Sequence, residues 1–93
     1  MIVGTMAITL YTPWVHSLKQ KRTVVKSICA KVRNKFNVSI AEVDEQDTHQ
    51  TVVIGVACVA NQVNQVDSIL DNVINFIEGS TEAEVVEVER EII

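Results

Sequence analysis

The chain has 93 residues, of which 47% are hydrophobic and 22% charged, with a formal net charge of −4. That length suits one domain, residues 1–93, near the low end of comfortable independent folding. No apolar run approaches the ~20 residues of a membrane helix, and Met1-Ile2-Val3-Gly4 shows no basic stretch or cleavage site, so a cytoplasmic placement without membrane association is expected.

Residues 2–11 alternate, with Ile2, Gly4, Met6, Ile8 and Leu10 facing one way and Val3, Thr5, Ala7, Thr9 and Tyr11 the other. This is a strand, and Pro13 stops it. Ser17 opens a helix, with Gln20 placed to complete a capping box. Leu18, Val25, Ile28, Cys29, Val32 and Phe36 fall within an arc of about 100°, and Asn37 is the expected stop. Val38–Val43 reads as a second strand, Asp44–Gln50 as a polar turn, and Thr51–Ala60 as a nearly continuous apolar, central strand. Asn61 is the expected cap of a second helix with Val63, Val66, Ile69, Leu70, Val73, Ile74 and Ile77 inward, closed by Gly79. Residues 83–92 make the last strand, with Glu87, Glu89 and Glu91 on one face and Val86, Val88 and Ile92 on the other, the latter interrupted by Arg90.

The order βαββαβ predicts an α+β, ferredoxin-like sandwich: an antiparallel sheet in the order 4-1-3-2 with two helices on one face. The other face would carry small aliphatics, suited to packing a second copy's sheet as a homodimer.

Charge is strongly segregated. Seven of the eight lysines and arginines lie between Lys19 and Lys35, and no acid precedes Glu42. At 100° per residue Lys19, Arg22, Lys26 and Arg33 share one flank of the first helix, over roughly 21 Å. Asp67, Asp71 and Glu78 form an acidic flank on the second helix, which the topology turns away from the basic one. Lys19, Lys21 and Arg22 also crowd the helix start, where the macrodipole disfavours cations by up to about 1 kcal/mol each. An anion there, bonded to free N–H groups, would relieve that conflict. The site predicted from sequence is therefore Lys19, Lys21, Arg22, Lys26 and Arg33, with Trp14, Ser17 and Gln20 as accessory residues. Trp14 has two readings, as a stacking platform or as part of the core.

Catalytic and metal chemistry find no support. His16 and His49 are isolated imidazoles, Cys29 and Cys58 sit within apolar patterns as buried free thiols, and the glycines Gly4, Gly55 and Gly79 form no phosphate loop. The acids Asp44, Glu45 and Asp47 belong to a turn. An RNA-recognition-motif domain would need aromatics on the third strand, which Val52–Ala60 lacks. An acylphosphatase would need an arginine in the loop Tyr11–Ser17, which has none. No enzyme, cofactor or metal is expected.

The runs Ser17-Leu18-Lys19-Gln20-Lys21-Arg22 and Arg33 through Val43, followed by Gln46-Asp47, Gly55-Val56-Ala57 and Val88-Glu89-Arg90-Glu91-Ile92, resemble the YlxP-like bacterial family over essentially the whole chain. The resemblance implies a ferredoxin-like fold and no established activity. It also implies a genetic setting beside translation initiation and ribosome maturation, which points to RNA or a ribosomal surface as the anion. His49 departs from the family, which often has tryptophan there.

Three functions stay open at this point. The first is a non-enzymatic RNA-binding module with four or five phosphate contacts, hence a log–log salt slope of roughly −3 to −4. The second is a protein-interaction module, docking an acidic partner or dimerising through its open sheet. The third is a small phosphate or nucleotide sensor at the start of the first helix.

Overall fold

A computed structural model describes residues 1–93. The elements are β1 (Ile2–Tyr11), α1 (Leu18–Lys35), β2 (Ser39–Asp44), β3 (Thr51–Ala60), α2 (Val63–Ser80) and β4 (Glu84–Ile92). They form one antiparallel sheet in the order β2-β3-β1-β4. This is the expected ferredoxin-like arrangement.

Period-two alternation in β1 and β3 sends Met6, Ile8, Leu10, Val52, Ile54, Val56 and Cys58 beneath the helices, where all are buried. Val25, Ile28, Cys29 and Val32 of α1, with Val66, Leu70, Val73 and Ile77 of α2, complete one apolar cluster. Each such aliphatic side chain contributes about 1.5–3 kcal/mol relative to exposure. Gly4 brings α2 close to the sheet, because a Cβ there would lie 2.1 Å from Cγ1 of Val66. Phe36 and Phe76 meet edge to face, 5.6 Å between centroids, alongside the end of α1.

Six boundaries differ from the sequence reading. The first helix ends at Lys35, and Phe36, in extended conformation, is its cap instead of Asn37. The second is preceded by Gln62 instead of Asn61, without a side-chain cap bond, and runs through Gly79 to Ser80. Ser80 Oγ donates to the Ile77 carbonyl at 3.3 Å, and Lys31 Nζ donates to the Ser80 carbonyl at 3.3 Å, so the last turn is satisfied without a glycine stop. The second strand lies one residue later at both ends, Ser39–Asp44 instead of Val38–Val43, and the last begins at Glu84 instead of residue 83.

The largest change is in β4. A register shift between Thr9 and Leu10 leaves Val86 unpaired, so Val85 opposes Leu10 while Val88 opposes Ile8. Val85 packs on the core and Val86 is 55% exposed. The bulge inverts the strand's alternation at Val86. Beyond it, Arg90 stands opposite Met6 on the helix side, and its Nη2 lies 2.6 Å from Oδ1 of Asp71. That pair accounts for an arginine on the apolar side of the strand.

A candidate anion-binding flank on the first helix

Helix α1 begins as its sequence requires. Ser17, extended at φ −148°, accepts a hydrogen bond on Oγ from the Gln20 N–H at 3.1 Å. Gln20 Oε1 in turn accepts from the His16 N–H at 3.0 Å, so the box closes one residue before the cap. Ser17 and Gln20, predicted as accessory anion ligands, thus use these groups in the cap. No acid occupies the first turn.

Lys19, Arg22 and Lys26 are exposed, and none has a side-chain hydrogen bond or an ion pair within the chain. They span about 10 Å of one helix flank. Arg33 continues the same flank, but its Nη2 donates to the Ile40 carbonyl at 2.8 Å. It is anchored to β2, and only the rest of its guanidinium faces solvent.

Lys21 is the clear correction. It was predicted as an anion ligand, yet it is 1% exposed, with Nζ 3.0 Å from Oε2 of Glu42. The ammonium donates its hydrogen bond to the Glu45 carbonyl, while the Glu42 oxygen sits beside it in ion-pair contact without hydrogen-bond alignment. The signal was available: position 21 precedes Val25 by four residues and Ile28 by seven, which places it inside the apolar arc. Glu45 itself has φ +54°, a left-handed conformation that is unfavourable for a side-chain-bearing residue. Its N–H donates to Asp44 Oδ1 at 2.8 Å and its carboxylate accepts from Thr48 Oγ1 at 2.7 Å. Lys21 therefore ties α1 to the β2–β3 turn from inside the molecule.

The remaining cations of α1 are also structural. Lys31 meets the end of α2, and Lys35 Nζ lies 4.8 Å from the Phe76 ring centroid. Trp14 packs against the core and lines a crevice with Val24, Ser27 and Lys31, on the far side of α1 from Arg22 and Lys26. Of its two readings the core one holds, and it does not join the basic flank. Cys29 and Cys58 are buried free thiols, and burial pushes the pKa of each above its ordinary value. Neither is an activated nucleophile. No helix is long and apolar enough to cross a membrane.

The cationic flank is therefore narrower than the sequence alone implied: three unengaged residues with a fourth half-engaged, in place of five. Comparison with known proteins gives a family without a described activity. The chain is 46% identical over 68 residues to the uncharacterized protein YlxP of Bacillus subtilis, covering 73% of this chain and 74% of that one. Residues 3–90 match the family described as protein of unknown function (DUF503), and the chain belongs to that family.

Proposed function

We propose that the chain is a non-enzymatic, cytoplasmic module that binds the phosphates of RNA, on ribosomal or precursor particles, through Lys19, Arg22 and Lys26 of α1, with Arg33 at the end of the flank. The observation that carries this reading is the contrast among the cations of a single helix. Lys21, Lys31 and Lys35 are each engaged by the protein's own carboxylate, carbonyls or ring, whereas Lys19, Arg22 and Lys26 are left to solvent on one side. Like charges aligned along one flank repel one another, and their position near a positive helix terminus adds to the cost. A polyanion offsets both terms and releases its counterions on binding.

The test is binding of structured and single-stranded RNA to the wild-type chain and to Arg22→Glu/Lys26→Glu at low salt. The reading expects binding by the first and at least about a tenfold loss in the second, with unchanged circular dichroism. Equal affinities would remove the flank from the account.

A further inference from the structure

We infer that the open face of the sheet is a docking surface for an amphipathic helix of another protein that carries lysine or arginine along one flank. The inference is independent of the RNA reading, whose unengaged cations Lys19, Arg22 and Lys26 lie on the helix layer.

Register organises the face into rungs across the strands. Ala41, Gly55, Ala7 and Glu89 stand opposite one another in one rung, and Ser39, Ala57, Thr5 and Glu91 in the next. Each rung is small in the middle and ends in a carboxylate on β4. Glu84 and Glu87 continue the series beside Tyr11 and Thr9. The small residues form the floor of a hollow of about 510 Å³, with Val43 on one side and Glu89 and Glu91 on the other. Val43 leans over Gly55, where a Cβ would lie 2.7 Å from its Cγ1, and it stays 56% exposed. Val59 on the same face is 60% exposed.

Three arguments select the occupant. Backbone groups within the sheet are already paired, so the face offers side-chain packing and not a further strand. Three strand spacings give a width of about 14 Å, enough for one helix of about 10–12 Å diameter lying over small residues. The strand residues of this face carry charge of one sign: Glu84, Glu87, Glu89 and Glu91 on β4 and Asp44 on β2, while Arg33 of α1 reaches only the opposite, β2 edge, where it bonds the Ile40 carbonyl. The only strand cation, Arg90, turns to the helix side and pairs with Asp71.

A partner must therefore bring cations to the β4 rim. A second copy placed face to face brings carboxylates on its strands and, at the β2 edge alone, an Arg33 already bonded to the Ile40 carbonyl, and its own α1 has its apolar side committed to its core. The charge pattern thus disfavours the homodimer and favours a basic helix from elsewhere.

The experiment is selection of a displayed helix library, randomised along one stripe and its two flanks, against the full chain. The inference expects enriched helices with an apolar stripe and a lysine- or arginine-bearing flank. Their binding should shift the amide resonances of Thr5, Ala7, Gly55 and Ala57. Glu89→Lys/Glu91→Lys should weaken them at least about tenfold, with recovery when the helix cations are changed to glutamate. Lys19→Glu/Arg22→Glu/Lys26→Glu should leave them bound, which separates this inference from the RNA reading. No enrichment, helices without a cationic flank, shifts elsewhere, or insensitivity to Glu89→Lys/Glu91→Lys would each overturn it. So would sedimentation showing a dimer of the free chain whose dissociation shifts those same amide resonances.

Discussion

The ammonium of Lys21 lies 3.0 Å from Oε2 of Glu42, with the lysine side chain 1% and the glutamate 17% exposed. The pair joins α1 to β2, and through the Glu45 carbonyl it also fixes the turn that follows. Burying two charges is costly on its own, but removing one partner is worse, because it leaves the other uncompensated. Lys21→Met should lower unfolding free energy by about 3–5 kcal/mol in urea titration. Lys21→Met/Glu42→Leu should recover most of that loss. A single variant as stable as the wild type would show that the pair does not anchor the helix.

Close packing at Gly4 gives a second expectation. A methyl group there meets Cγ1 of Val66 at 2.1 Å, so α2 or the valine must shift. Gly4→Ala should cost about 1–3 kcal/mol by thermal or urea unfolding, and Val66→Ala in the same chain should relieve part of the strain. A neutral Gly4→Ala would contradict the described approach of α2 to β1.

The cations of α1 should separate by role. Truncating Lys19, Arg22 or Lys26 to alanine should reduce the salt slope of RNA binding by about 0.7 each, with little change in stability. Lys31→Ala should leave the slope unchanged, since that lysine serves the end of α2. Trp14 is the chain's one tryptophan and is packed on the core, away from this flank. Trp14→Phe should therefore keep RNA affinity within about twofold, whereas a stacking residue would cost about 1–3 kcal/mol per base.

Burial raises the pKa of both thiols above the ordinary cysteine value, because it disfavours the thiolate. In the folded chain they hold their protons more tightly than in the unfolded one, so their contribution to stability is complete below about pH 9 and is lost as pH rises through the higher folded values. Native protein should react slowly with a thiol reagent at pH 8, and both cysteines should react promptly in urea. Fast labelling of the folded chain would contradict the burial described.

Most of the fold was legible in the residues. The bounds of β1 and β3 follow from a clean alternation and an unbroken aliphatic run, and the order βαββαβ carries the sheet order with it. What escaped depends on contacts distant in sequence. The bulge at Val86 changes which β4 residues face the helices; the doublet Val85-Val86 breaks the alternation, but which of the two valines turns inward is set by pairing with β1. Gly79 looks like a helix stop, but Lys31 and Ser80 satisfy the last turn and the helix continues. Lys21 was missed for a different reason. Its charge suggests the surface, but its place in the apolar arc turns it inward, and Glu42 of β2, six residues beyond Phe36, is there to pair with it. Trp14 lies on the side of α1 that faces α2, which a loop residue's position in sequence does not specify.

Salt dependence tests the central claim most directly, because it counts the phosphates engaged instead of relying on affinity alone. RNA binding by the full chain, followed from low to physiological ionic strength, should show a log–log slope of about −2, for three phosphate contacts at 0.7 each. A flat response, or no binding at low salt, would contradict an RNA role for Lys19, Arg22 and Lys26.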